Sequence, residues 1–227
     1  METSLHRQLK ELYCREDSGR EVRVGKYRID AVADGVLVEI QQASLGALRQ
    51  KIAALLKSHR VLVVKPLALR KTIIKRTALA GAPPAESRRI SPKHDTIFHM
   101  FDDLVHFVDV FPNRRLTLEV LLTEQEEHRV SKPVRRRRYQ KDYRVVDRSL
   151  AGVIERRTFR TARDLRALLP PGLEEFFTTE QLAELSGIPR WLAQKMAYCL
   201  RMTGGVRVVG KRGRATLYRA PRPRKAA

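Results

Sequence analysis

The spacing of hydrophobic residues predicts alternating helices and strands at the start of the chain. Leucines recur at helical spacing in residues 4–14, and Ser4 or Thr3 can cap that helix. The β-type runs VRVGKYRIDAV and GVLVEIQ follow; a second helix, over residues 45–58, has its aliphatic side chains on one stripe and precedes the strand RVLVVKP. The order helix, three strands, helix, strand predicts an α/β fold with a mixed sheet.

The middle of the chain has a weaker pattern. RKTIIKR is basic, and GAPPAESRRISPK is rich in turn residues, which predicts a loop. Residues 96–108 place six apolar side chains on one helical face, and RRLTLEVLLTEQEEHRV predicts a strand that can turn and return. We therefore expect a first domain over residues 1–130 and a basic linker over residues 131–157.

Another module is predicted from residue 158 onward. A helix ends at Pro170-Pro171, and two further helices meet at a tight turn that contains Gly187 and Pro189. The run VRVVGKRGRATLYR then predicts a β-hairpin with a basic, glycine-rich tip. The shared core is expected from Leu182, Leu185, Ile188, Leu192, Met196 and Leu200. This domain should span residues 158–220, and residues 221–227 should form a disordered tail.

The charge of the chain indicates its partner. Lys and Arg number 46 against 25 Asp and Glu, which gives a net charge of +21 and favours a polyanion such as nucleic acid. An acidic membrane surface is the competing partner, but arginine predominates over lysine and no basic amphipathic helix stands out, so no membrane partner is expected. The polar start, the lack of a membrane span and the two distant cysteines predict a cytoplasmic protein.

The segment RIDAVADGVLVEIQQ places two acidic side chains together. Asp34-Gly35 between two apolar runs predicts a two-residue hairpin turn, which sets Asp30 opposite Glu39 on one face of the sheet. Gln41 shares that face. Two carboxylates so close favour a hard cation, Mg²⁺ or Mn²⁺, and hence a metal-dependent phosphodiesterase. Alternatively, the pair lies at a solvated end of the hairpin, or one member pairs with an arginine such as Arg28.

Residues 4–66 resemble the PD-(D/E)xK nuclease superfamily in the order of their helices and strands. The residues of this chain that match the motif of the superfamily are Asp30 and the triplet Glu39-Ile40-Gln41. The resemblance implies a restriction-endonuclease-like core, metal held by Asp30 and Glu39, and a contribution from Glu11 in the first helix. The family usually has lysine where this chain has Gln41. Lys65, at the expected end of the next strand, is a candidate replacement for that lysine. Alternatively, Lys65 simply ends a strand and has no role in the site.

Residues 158–220 resemble the winged-helix DNA-binding fold. The resemblance implies that the second helix of the pair enters the major groove and that the wing contacts phosphates. The residues expected to bind nucleic acid in this way are Arg190, Gln194, Lys195, Lys211, Arg212 and Arg214. Winged helices also serve as protein-interaction modules.

A run of four arginines lies inside the predicted linker, immediately before Tyr139. It is expected to clamp a nucleic-acid backbone, with the tyrosine as a stacking surface, or to act as a solvated linker. The run consists of Arg135, Arg136, Arg137 and Arg138.

Two functional hypotheses follow. The first is a metal-dependent DNA endonuclease or exonuclease targeted by its own winged helix. The second is a DNA-binding regulator or repair accessory protein, built on a nuclease fold that no longer cleaves; the glutamine at position 41 supports this alternative. DNA is favoured over RNA. The polar face shared by His99, Asp102, Asp103 and His106 could hold zinc, although a solvated helix face is the default.

Overall fold

The structure, a computed structural model, describes residues 2–14, 19–77, 85–131 and 142–221. The helices are α1 (Ser4–Tyr13), α2 (Arg49–Leu55), α3 (Met100–Leu104), α4 (Ala162–Arg166), α5 (Thr179–Ser186) and α6 (Arg190–Met202). The strands are β1 (Arg20–Val24), β2 (Tyr27–Ala33), β3 (Val36–Ile40), β4 (Arg60–Thr77), β5 (Ala85–Ile90), β6 (Leu116–Ser131), β7 (Tyr143–Phe159), β8 (Phe176–Phe177), β9 (Arg207–Arg212) and β10 (Ala215–Arg219). The chain is therefore an α/β protein. Within the described ranges, no helix is long and apolar enough to cross a membrane.

A seven-stranded mixed sheet has the order β1-β2-β3-β4-β6-β7, and β5 pairs with β4. A second sheet has the order β8-β10-β9. The chain divides into two compact units, each assembled from three separate segments. The first unit consists of Met1–Gln42, Val64–Thr96 and Val120–Arg156, and the second of Ala43–Val63, Ile97–Glu119 and Arg157–Ala227. This division differs from the predicted one, in which the C-terminal domain is continuous in sequence.

The start of the first unit follows the predicted pattern. Thr3 caps α1 by accepting the backbone N–H of His6, and Leu5 and Leu9 are buried where α1 packs on β2 and β3. Asp34 and Gly35 both have positive φ, 51° and 72°, which is the geometry of the predicted two-residue turn. The order of elements up to β4 is confirmed.

Three segments of the large sheet differ from the prediction. The predicted loop at residues 85–90 is strand β5, whose side chains are all exposed, so no hydrophobic alternation marks it in the sequence. The predicted linker contains β7, which begins at residue 143 and pairs as the last strand of the sheet. The segment predicted to turn and return is the single 16-residue strand β6.

Strand β6 stays continuous because its polar residues are satisfied inside the first unit. The hydroxyl of Thr123 donates to the carbonyl of Leu67 at 2.9 Å, and Gln125 Nε2 donates to Thr123 Oγ1 at 2.9 Å. Glu127 is 3% exposed and accepts hydrogen bonds from Arg129 and Arg148. Burial raises the pKa of Glu127, but these arginines outweigh that effect and hold its pKa below the ordinary value.

In the second unit, α6 packs against α3, α4 and α5. The capping box of Thr178 and Gln181 begins α5, and Gly187, with a φ of 62°, ends it in the left-handed conformation. Of the predicted core, Leu182, Leu192, Met196 and Leu200 are fully buried. The expectation for Leu185 is wrong, because its side chain is 50% exposed, and Ile188 is only partly buried. The helix predicted over residues 96–108 is shorter, since α3 ends at Leu104 and turns follow.

Candidate functional site

Strands β2 and β3 place the two predicted carboxylates on one face of the sheet. The paired residues are Ala31 with Val38, Val32 with Leu37 and Ala33 with Val36, which is the predicted register. The next positions along these strands are Asp30 and Glu39, and directly opposed residues share a face. The Asp30 side chain is 21% exposed, whereas Glu39 is 3% exposed. By this register, one accessible and one buried carboxylate lie on the same face of the sheet.

The carboxylate of Asp30 is held by two groups. Its Oδ2 accepts the backbone N–H of Ile40 at 2.8 Å, and its Oδ1 lies 3.1 Å from Nε2 of His6 on α1. An ionised carboxylate only accepts hydrogen bonds, so Nε2 of His6 carries the proton of this contact. Burial raises the pKa of Asp30, but the hydrogen bonds from His6 and Ile40 and the charges of His6 and Lys10 outweigh it. The pKa is lowered overall, and Asp30 is ionised at neutral pH.

An open cleft of about 540 Å³ contains Asp30. It is lined by Glu2, Thr3, His6, Lys10, Glu21, Arg28, Asp30 and Gln42. Four of the five predicted catalytic residues are not among these described lining residues: Glu11, Glu39, Gln41 and Lys65. The cleft mixes three carboxylates with a histidine, a lysine and an arginine, so its charges are largely paired internally.

Helix α1 supplies His6 and Lys10 to this cleft rather than Glu11. His6 and Lys10 are one helical turn apart, beside the buried Leu5 and Leu9. Glu11 is exposed, and the structure does not bring it to Asp30. Sequence reasoning missed His6, although a histidine next to the leucine stripe and four residues before a lysine was the signal that could have found it.

Lys65 lies beside Gln41 at the end of β3. The backbone N–H of Gln41 donates to the carbonyl of Val64 at 2.9 Å, and Nζ of Lys65 donates to the carbonyl of Gln42 at 3.2 Å. Lys65 is only 4% exposed. The expectation that Lys65 ends its strand is wrong, because β4 continues to Thr77. Lys65 therefore contacts the backbone that follows β3, and its role beside Gln41 stays a prediction.

The donor set on this face suits a hard cation with a small number of protein ligands. Among the described residues, no group of three or more His, Cys, Asp or Glu side chains is arranged to hold a metal ion. Mg²⁺ binds to one or two protein carboxylates, which Asp30 and Glu39 could supply. Water or substrate phosphate fills its remaining coordination positions. Two residues of the predicted zinc-binding face make other contacts: Asp102 pairs with Lys195, and the His99 ring meets the edge of the Trp191 ring at 6.4 Å between centroids.

Helix α6 presents an exposed face with both charged and aromatic groups. Arg190, Trp191 and Gln194 are exposed, and Trp191 retains 45% of its surface. Lys195 is partly buried; its Nζ pairs with Asp102 and lies 5.2 Å from the Trp191 ring. Arg190 and Gln194 are thus exposed, while Lys195 is already engaged by an acidic partner.

The hairpin of β9 and β10 has an exposed basic tip. Lys211, Arg212 and Arg214 are all exposed around a turn at Gly213, whose φ is 62°. Arg212 Nη1 donates to Oε1 of Gln181 at 3.3 Å, which ties the hairpin to the start of α5.

The predicted arginine run and most of the predicted tail lie outside the described residues. This applies to residues 222–227 and to each arginine of the run, whose expected contact with nucleic acid stays a prediction. Those arginines are Arg135, Arg136, Arg137 and Arg138. The described part of the predicted linker begins at residue 142 and leads directly into β7.

Residues 3–160 match the family described as "Domain of unknown function (DUF8091)", and the chain belongs to this family. The matched range contains every strand of the large sheet and every lining residue of the cleft except Glu2, and it ends one residue after β7. An "Uncharacterized protein" of Treponema pallidum (strain Nichols) is 33% identical over 224 residues, which cover 98% of this chain and 86% of that protein. No solved structure matches the chain.

Proposed function

We propose that this protein binds DNA through a winged helix formed by α4 to β10. The order of these elements is helix, short strand, helix pair and hairpin, and the three strands pair in the order β8-β10-β9. In a winged helix, the second helix of the pair enters the major groove, and the hairpin lies along the phosphates. In this chain those positions belong to α6 and to the β9–β10 tip.

The exposed side chains of these two elements carry the proposal. Arg190 and Gln194 are one turn apart on α6 and have the donors that contact guanine and adenine edges. Lys211 and Arg214 at the hairpin tip are exposed cations suited to phosphate. The net charge of +21 favours association with any polyanionic backbone, so sequence recognition has to come from α6.

The binding experiment compares two kinds of variant on a labelled DNA duplex. Lys211→Ala with Arg214→Ala should lower the salt slope of log K by about 1.8, because each phosphate contact contributes about 0.9. Arg190→Ala should weaken binding to a preferred sequence by about 1–3 kcal/mol and relax preference at one base pair. A preferred duplex is first selected from a random pool.

The matched control replaces two exposed cations of the same unit that lie outside α4 to β10, Lys57 and Arg114, by alanine. This control variant should retain the wild-type salt slope. An equal decrease of the salt slope in the control and hairpin variants would show that overall charge, and not the hairpin, governs binding. Absence of DNA binding by the wild type would refute the proposal.

A second candidate function is metal-dependent phosphodiester hydrolysis at Asp30 and Glu39. The observation that favours it is the β2–β3 register, which puts both carboxylates on one face, together with the lowered pKa of Asp30. Asp30 and Glu39 would hold Mg²⁺ or Mn²⁺, and the bound ion would activate a water and neutralise developing charge on the phosphate.

The chain's own residues would then have distinct roles. Asp30 is the ligand that reaches solvent, and Glu39 is the buried one. His6 holds the Asp30 carboxylate in place at 3.1 Å. Lys65, donating to the Gln42 carbonyl, fixes the end of β3 where Gln41 could orient a water. Without cleavage, the same cleft would serve only as part of a DNA-binding scaffold.

The cleavage experiment uses plasmid, branched and single-stranded DNA with Mg²⁺, Mn²⁺ or EDTA. Asp30→Asn should abolish metal-dependent cleavage, whereas Glu86→Gln, an exposed acid on β5, should leave it unchanged. Glu11→Gln tests whether Glu11 contributes to the site. The family resemblance implies that this variant loses cleavage, whereas the exposed position of Glu11 implies that it retains cleavage. DNA binding with no cleavage under any metal would support the non-catalytic DNA-binding protein.

A further inference from the structure

The hairpin formed by β1 and β2 concentrates positive charge at the edge of the large sheet. Arg23 and Arg28 are directly opposed across the two strands, and Lys26 lies in the turn between them. All three side chains are exposed. Like charges placed directly opposite each other on a strand pair destabilise the pair, so this arrangement costs stability unless an anion binds there.

The nearest described acid compensates only part of this charge. Glu21 pairs with Arg28, and its other oxygen accepts a hydrogen bond from Lys10 at 2.6 Å. Glu21 is thus shared between two cations. The hairpin keeps a positive surface even after this pairing.

The cations of the hairpin lie next to the cleft that contains Asp30, and Arg28 lines it. Arg28 and Asp30 are two residues apart on β2, so they share one face of the strand, and both line the cleft. Arg23 shares that face because it is opposed to Arg28. A chain of phosphates bound along Arg23 and Arg28 would therefore approach Asp30.

We propose that the β1–β2 hairpin binds the phosphate backbone of a nucleic acid and directs one strand toward the Asp30 cleft. This inference rests on the proposed function in that the protein must bind nucleic acid. An acidic membrane fits the hairpin less well, because none of its described residues is an exposed large hydrophobic side chain that could enter a bilayer.

The test measures binding of the full-length protein to a labelled single strand and to a duplex as a function of salt. In Arg23→Ala with Lys26→Ala, the salt slope should fall by about 1.8 on the duplex and by about 1.4 on the single strand, because two phosphate contacts are lost. The matched control, Arg89→Ala with Arg144→Ala, removes the same charge from exposed positions on β5 and β7 and should leave the slope nearly unchanged. Arg23→Lys, which keeps the charge, should retain the wild-type slope.

The outcomes distinguish this inference from the proposed function. If the wild type binds and the hairpin variant keeps its slope, the hairpin is not a contact, although DNA binding by α6 and the β9–β10 tip stands. If the hairpin variant and the control variant lower the salt slope equally, net charge accounts for the effect and the inference fails. Loss of binding to vesicles rich in anionic lipid, with nucleic-acid binding intact, would assign the hairpin to a membrane and overturn it. Absence of nucleic-acid binding by the wild type refutes both.

Discussion

Replacing Asp30 measures how much the carboxylate contributes to the fold independently of any chemistry. Asp30→Ala removes the acceptor of the Ile40 N–H, at 2.8 Å, and the partner of His6, at 3.1 Å. A hydrogen bond to a charged group contributes about 1.5–3 kcal/mol, and the His6 contact falls at the low end because water can replace it at a side chain that is 21% exposed. We expect a loss of about 3 kcal/mol around the β2–β3 end.

Amide hydrogen exchange provides the local assay. Since about 1.4 kcal/mol corresponds to a factor of ten, the Ile40 amide should exchange roughly a hundredfold faster in Asp30→Ala. Asp30→Asn keeps an oxygen that can accept from Ile40, so its Ile40 amide should exchange at most about tenfold faster. An unchanged Ile40 exchange rate in Asp30→Ala would refute the assignment of this hydrogen bond.

The pH dependence of the same effect has a defined sign. The pKa of Asp30 is lowered in the folded protein from its ordinary value of 3.8. A group of this kind stabilises the fold above its unfolded pKa, and the contribution is lost as the pH falls through the folded pKa. The stability difference between wild type and Asp30→Asn should therefore be present at about pH 5 and shrink as the pH falls below 3.8. A difference that grows as the pH falls below 3.8 would contradict the lowered pKa.

Three further predictions concern other parts of the chain. Thr178→Ala should lower the unfolding free energy by about 1 kcal/mol in urea titrations, because it removes the side-chain cap of α5; an unchanged midpoint would contradict the cap. Burial raises the pKa of the Cys199 thiol to about 12, so iodoacetamide at about pH 8 should label the partly exposed Cys14 well before it labels Cys199, as read by mass spectrometry; equal labelling would contradict this. Arg23→Thr should raise stability by about 0.2–1 kcal/mol, because it relieves repulsion from Arg28, and a lower melting temperature would exclude that repulsion.

The local signals in the first sixty-six residues were sufficient to predict their elements. Asp34-Gly35 specifies a turn in which both residues have positive φ, and that turn alone fixes the register of β2 against β3. Leu5 and Leu9 identify the buried stripe of α1. The position of the carboxylates on one face follows from these local rules, because the period of a strand is two.

Elements whose stability comes from distant partners were not predicted. Strand β5 has no hydrophobic pattern, and it exists because it pairs with β4 from Thr72 to Thr77. The polar residues Thr123 and Gln125 look like an interruption of β6, yet the Leu67 carbonyl and their mutual hydrogen bond satisfy them. His6 could be placed on a helix from sequence, but its contact with Asp30 depends on how α1 lies across β2.

Because each compact unit consists of three separate segments of the sequence, no single truncation of the chain would yield either unit intact. A fragment starting at residue 158 would keep α6 but lose Asp102, the partner of Lys195, and Phe101, which lies buried in the same unit. Such a fragment would uncover apolar surface of α6 and would be expected to aggregate. Internal point substitutions in the whole chain, rather than truncations, are therefore the reliable way to dissect it.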